Sequence, residues 1–369
     1  MRNKIKPSKF TGDFTPVMKI TAFMLVFSAV SFASSYSAGQ PEAIFRLPAG
    51  AWASGMGGAV TADPDYMMSW YNPSRLPHIR DRRASFGGGY RSLGRTEAWG
   101  SCDFRVPPRV GMGISFVYRG DPAISGLYDG YYDGGEAVEE RALKNAAWTA
   151  VSMKIGVGYL MSRNVSIGGA AAVNHQSLPT TPAPNGLLER SSVTSIGTLD
   201  IAGSYRIKPN WILSASVKNL LSSHNSWYIY SPNAFAPIID EVVPPVFVLG
   251  SSRRAAFLER ELTWNADAVI FLIDGEGAYI GRPEMAVAAG AQWKFTEEIT
   301  LRAGFSDIEL NGDIYRSSGN YLRGFSPRVT MGFSYVLSGF AQGVTFNYAI
   351  MTDRIWAGVD QQVDITVSF

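Results

Sequence analysis

From about residue 83 to its end, the chain alternates apolar and polar residues in runs of about ten. The last run is the plainest: Val363, Ile365, Val367 and Phe369 are apolar, with Asp364, Thr366 and Ser368 between them. The same period of two sets Val344, Phe346, Tyr348 and Ile350 against Thr345 and Asn347. It sets Ile299, Leu301, Ala303 and Phe305 against Thr300, Arg302 and Ser306, and it recurs over 151–159, 211–217 and 262–268. A period of two marks a strand whose two faces meet different surroundings. Two architectures satisfy it. A soluble sandwich presses its apolar face against a second sheet, whereas a spanning barrel turns that face to lipid and encloses the polar one.

Connection lengths separate the two. Fourteen strands are predicted near 83–91, 95–105, 109–119, 146–160, 163–176, 192–207, 210–221, 246–257, 262–272, 284–295, 298–306, 326–337, 342–351 and 361–369. Short joins (106–108, 162–163, 208–209, 258–261, 296–297, 338–341) alternate with long ones (120–145, 177–191, 222–245, 273–283, 307–325, 352–360). Only the first hairpin, RSLGR, is short on the long side. If the first strand starts in the periplasm, every short join is periplasmic and every long one extracellular, as in outer-membrane barrels with an even strand number. A sandwich gives no reason for that parity. Closure also removes the unpaired strand edges that lipid could not satisfy. The prediction is an all-β, fourteen-stranded antiparallel transmembrane barrel over 83–369.

The N-terminal part reads differently. Arg2, Lys4, Lys6, Lys9 and Lys19 precede an apolar run over 20–32 and then the small residues ASSYSA. That is the layout of a signal peptide over 1–37, with cleavage after Ser35 or Ser37, and the run is too short for a spanning helix. Its removal lowers Lys+Arg from 33 to 28 and Asp+Glu from 31 to 30, so the formal charge moves from +2 to −2. A nearly neutral chain argues against nucleic acid as a partner. Cys102 stands alone, which excludes an internal disulfide and a thiolate metal site. The low charged fraction, 17%, beside 12% aromatics suits a surface that does not meet water everywhere.

Between leader and barrel, residues 55–76 read GMGGAVTADPDYMMSWYNPSRL and show no period. Gly55, Gly57 and Gly58 allow close backbone approach, and Asn72-Pro73 sets a fixed turn. These features predict a hatch or plug over 38–82, folded in the lumen where wall and water satisfy irregular backbone. A dinucleotide loop is the competing reading, but no strand precedes the glycines and no helix follows them.

Other candidate residues follow from alternation and loop composition. Asp103, Lys154, Asp200, Lys218, Asp267 and Arg302, together with Arg105, Arg206, Lys294 and Asp364, fall on polar positions and are predicted to face the lumen. Their mixed signs point to ion pairs in a filled interior. The loop over 222–245 is unusually apolar for exposed chain. Trp227, Tyr228, Tyr230, Phe235, Ile238 and Ile239 form either a greasy vestibule and partner face or a cap on the barrel's own mouth. The three histidines, His78, His175 and His224, have no recognisable Ser or Asp partner motif and no metal spacing. The expectation is a non-enzyme without cofactor or metal.

Gly55-Met56-Gly57-Gly58-Ala59, Ala62-Asp63 and Tyr71-Asn72-Pro73 with Leu76 resemble the N-terminal signature of the FadL-like barrels, most closely the PorV/PorQ branch. Leu301-Arg302-Ala303-Gly304-Phe305 and Asn347-Tyr348-Ala349 resemble the LRAGY and DYA patterns of that branch. Here Ser74-Arg75 follows Asn-Pro, where the branch has Ala-Gly. The resemblance implies fourteen strands with an N-terminal hatch, and an outer-membrane protein in one of two lines of work. PorV-type members accept exported cargo in type IX secretion, beside a translocon and surface-attachment proteins. FadL members pass hydrophobic small molecules inward. Lipid and the barrel-assembly machinery are further implied partners, with terminal Phe369 as the assembly signal.

Overall fold

Alternation becomes a wall. The computed structural model describes residues 47–91, 94–121, 132–133, 136–137, 148–182, 188–221, 224–227, 230–231, 234–235, 239–242, 245–272, 283–309, 327–337, 343–352 and 358–369. The predicted leader over 1–37 lies outside them. Fourteen antiparallel strands close on themselves: β1 (Arg83–Tyr90), β2 (Thr96–Val106), β3 (Val110–Asp121), β4 (Trp148–Leu160), β5 (Val165–Pro182), β6 (Leu188–Lys208), β7 (Trp211–Lys218), β8 (Val246–Phe257), β9 (Arg260–Leu272), β10 (Pro283–Lys294), β11 (Ile299–Glu309), β12 (Arg328–Val336), β13 (Val344–Thr352) and β14 (Val359–Ser368). Each pairs with its sequence neighbour, and β14 pairs with β1 in the register Arg83↔Ser368 to Tyr90↔Gln361. The chain's last residue locks that seam, since Phe369 and Arg82 exchange two backbone hydrogen bonds of 3.0 and 3.2 Å.

The faces sort as the period of two requires. In β4, Met153, Ile155 and Val157 are exposed outward, while Ser152 and Lys154 are buried inward. Tyr90 and Tyr118 lie outside near the long-connection end. Phe257, Trp293 and Phe295 form an edge-on row near the short-turn end, with centroids 5.8 and 5.3 Å apart.

One join differs from expectation. The segment 177–191, read as a long loop, is mostly strand, with β5 and β6 paired out to Pro182↔Leu188. Pro179 and Pro182 interrupt the sequence of this extension, and too few apolar residues mark it as spanning. In the 222–245 loop, the backbone forms two small ribbons, His224–Trp227 with Ile239–Val242 and Tyr230–Ser231 with Ala234–Phe235.

The largest apolar core among the described residues lies inside the cylinder. Trp52, Met56, Val60, Tyr66, Met67, Trp70 and Tyr71 of the N-terminal segment pack together against Trp99 and Val117 of the wall. This inner segment contains α1 (Ala51–Gly55), α2 (Met68–Tyr71) and a 3-10 turn (Pro73–His78) before it leads into β1.

Candidate functional site

The inner segment is too short and too irregular to satisfy its own backbone, so the wall does it. Three aspartates on inward positions accept its N–H groups. Asp364 on β14 accepts from Ala51 N at 2.7 Å, where α1 begins. Asp267 on β9 accepts from Val60 N at 2.9 Å and Thr61 N at 2.8 Å. Asp103 on β2 accepts from Met68 N at 3.1 Å, at the start of α2. Leaving a buried N–H without an acceptor costs roughly 1–3 kcal/mol, so these carboxyl groups hold the segment in place. Two phenols complete the lattice. Tyr66 donates to Asp364 and accepts from Trp52 N at 2.9 Å. Tyr71 donates to Ala49 O at 2.6 Å. Burial, then the Asp364 charge, holds the Tyr66 phenol well above its ordinary range, so it stays a donor.

At Asn72 the chain turns. Its side chain caps the 3-10 turn by accepting from Ser74 N at 3.1 Å, with Pro73 preset at the first position. Its Nδ2 donates to Thr61 O at 2.6 Å and to Ser204 of β6 at 3.2 Å. The departure Ser74-Arg75 has a structural use here. Ser74 Oγ bonds Asn72 and Ser204, each at 2.6 Å, and Arg75 pairs with Asp63 at 2.9 Å. Asp63 also receives Arg254 of β8 at 2.5 Å. Burial alone would raise its carboxyl, but the two guanidiniums together pull it below the usual range.

Wall glycines admit this packing. A Cβ on Gly111, Gly158 or Gly168 would collide with the backbone of Pro73–Leu76, and one on Gly290 with the Met56 carbonyl. Gly57 and Gly58 have φ of +65° and +80°, and a Cβ on Gly57 would strike Phe305 backbone. Gly55 lies against Arg302 and Gly332.

Cavities flank the segment at its two ends. Toward the long connections lies one of about 150 Å³, between Trp70 and Tyr71 on one side and the wall on the other. Val246, Val248, Val269, Ala286 and Ala288 form its apolar side. Its polar side carries Lys154, paired with Asp200 at 2.5 Å and seated 4.8 Å from the Trp70 ring, and Lys218, 5.8 Å from the Tyr71 ring. Toward the short turns lies a larger cavity of about 750 Å³, lined by Arg75, Arg83, Arg206, Arg254, Lys294 and Arg302 among others.

The sequence-predicted residues therefore divide. Asp103, Lys154, Asp200, Lys218, Asp267 and Arg302 all sit on inward positions, buried or nearly so. Lys154 and Asp200 form an ion pair, whereas Asp103, Asp267 and Asp364 hold backbone of the inner segment. Arg105 and Lys294 lie at exposed strand ends. Tyr228 and Ile238 are outside the described residues, while the backbones of Trp227, Tyr230, Phe235 and Ile239 belong to the two ribbons. One cluster was missed. Arg91 pairs with Glu97 at 2.8 Å and Asp360 at 3.1 Å, and Arg119 with Glu97 at 3.1 Å. Both arginines donate to the Pro48 carbonyl, at 3.0 and 2.9 Å, below the long-connection mouth. Inward parity of Glu97, Arg119 and Asp360 was the available signal.

Comparison of the coordinates with solved structures finds one architecture repeatedly. The Ralstonia pickettii toluene transporter TbuX is 12% identical, with TM-score 0.56 over 88% of this chain and 98% of that one. A Pseudomonas aeruginosa FadL homologue is 11% identical, with TM-score 0.56 over 88% and 99%. The fold is FadL-like. The Pseudomonas putida toluene transporter TodX, 12% identical, aligns with TM-score 0.54 over 88% and 99%. No family model and no curated protein sequence matches the chain.

Proposed function

We propose that the protein is a non-enzymatic outer-membrane transporter of small hydrophobic molecules, with residues 47–82 acting as its hatch. The carrying observation is the small cavity directly above that segment, whose one side is apolar and whose floor is Trp70 and Tyr71. A hydrophobic molecule entering from the long-connection end meets this cavity, then the hatch. The FadL-like fold supports this reading, since the solved structures it resembles include toluene transporters and a FadL homologue. In this reading the first residues are a cleaved leader, lipid bathes the apolar face, the short turns are periplasmic, and assembly machinery reads the strand ending in Phe369.

The other reading, a PorV-type acceptor of type IX cargo, rests on the short motifs over 55–76, 301–305 and 347–349 alone. One experiment separates them. Deleting the gene and measuring both uptake of toluene and long-chain fatty acid and the set of surface proteins should show lost uptake with unchanged surface proteins. Lost surface cargo with normal uptake would favour secretion. Filling the upper cavity with Val248→Trp should reduce uptake at least tenfold without removing the barrel from the membrane.

A further inference from the structure

Transport of hydrophobic molecules gives no role to the larger cavity at the short-turn end. Seven cationic side chains line it against three carboxylates. Two of the three are already committed, Asp63 to Arg75 and Arg254 and Asp65 to Arg83 at 2.6 Å. Arg80, Arg206, Lys294 and Arg302 have no carboxylate within salt-bridge distance among the described residues, and Glu261 alone remains to offset them. Arg302 is 7% exposed. Its Nη1, and the Nε atoms of Arg75 and Arg206, are buried without a hydrogen-bond partner. Buried guanidinium donors left unpaired are costly.

We propose that this vestibule is a binding site for a compact polyanion, the phosphate or polycarboxylate group of a small molecule. The guanidinium forks of Arg206 and Arg302 match either oxygen geometry. Gln292, Thr300, Ser334 and Thr345 supply neutral donors around them. A volume of about 750 Å³ falls within the range of small-molecule sites. Apolar lining is confined to a few side chains such as Trp52, Ile79 and Val336, so the site suits a hydrophilic anion and not the hydrophobic molecule of the upper cavity. The positive field is felt nearby: burial, then Arg75 and Arg206, brings His78 down to about 4. Arg302 also touches the hatch, through Gly55 and through Gln292, whose Oε1 accepts from Trp52 Nε1 at 3.1 Å. The inference stands whether or not the protein transports hydrophobic molecules.

The test is calorimetric titration of the purified full-length barrel in detergent at low salt with inorganic phosphate, citrate and, as a monovalent comparison, acetate. Saturable binding of phosphate or citrate is expected, at least tenfold tighter than acetate, and whichever binds more tightly identifies the group. Arg302→Gln and Arg206→Gln should each weaken it tenfold or more, with partial recovery in Arg302→Lys. Arg260→Gln, which removes an exposed rim charge paired with Glu297, should leave it unchanged. Heat-modifiable electrophoretic mobility checks that each variant is a folded barrel. Absence of saturable binding, acetate binding as tightly as phosphate and citrate, or equal losses in all three glutamine variants overturns the proposal.

Discussion

The two cavities share one barrel and are separated by one segment, yet their electrostatics differ. Near the long connections each buried cation named above is matched: Lys154 by Asp200 and Trp70, Lys218 by the Tyr71 face, and Arg91 and Arg119 by Glu97. Near the short turns, cations outnumber carboxylates, and four of them, Arg80, Arg206, Lys294 and Arg302, have no acid partner within salt-bridge distance among the described residues. Alternation treats both ends alike, because it specifies only which side of the wall a residue faces. Neutrality depends on which strands meet across the lumen and on what the inner segment contributes. At the upper end it contributes aromatic faces, and at the lower end two acids, Asp63 and Asp65.

Removing the separation is the strongest way to test that difference. Deleting residues 47–78 should join the two cavities and leave the strands paired. Planar-bilayer recordings should then show large steady conductance where the intact chain shows little, with anion preference set by the lower end. A smaller effect comes from the upper anchors. Asp267→Ala with Asp364→Ala removes acceptors from Ala51, Val60 and Thr61, a loss of about 3–5 kcal/mol of docking energy. Hydrogen exchange should accelerate over 51–61 while 73–78 stays protected.

The lower half can be released by itself. Gly158→Val places a side chain on the Pro73 carbonyl and should cost about 1–3 kcal/mol, seen as faster exchange at 73–78 with 51–61 unchanged. Uniform acceleration in either variant would mean that the segment docks as one unit.

The smallest effect is a pH dependence. His78 titrates near 4 when docked, against 6.5 for a free imidazole, so the docked state binds fewer protons than the released one. Docking is therefore strongest above about pH 6.5 and weakens as pH falls from there toward 4. After solvent screening the loss is about 1–2 kcal/mol. His78→Gln should flatten protease sensitivity of the lower half across that window.

Strand count and parity were legible because a period of two is a local property, written residue by residue. Most predicted strand boundaries lie within about two residues of those observed; the extension of β5 and β6 was not legible, since Pro179, Pro182 and few apolar residues leave no alternating run in its sequence to announce it. Within the inner segment, Asn72-Pro73 was readable as a turn, since cap and proline act on their own neighbours. The roles of Ser74, Arg75 and Tyr66 were not, because Ser204, Asp63 and Asp364 reach them only after folding.

By itself, then, the order of residues determined a closed wall: which side chains look outward, which inward, and how many strands the chain can make. What fills that wall was decided by tertiary structure. Asp103, Asp267 and Asp364 look alike on paper, as single acids on polar positions. Each acquires its partner from a segment dozens to hundreds of residues away, and pairings at that separation depend on barrel closure, which brings opposite strands around a common interior.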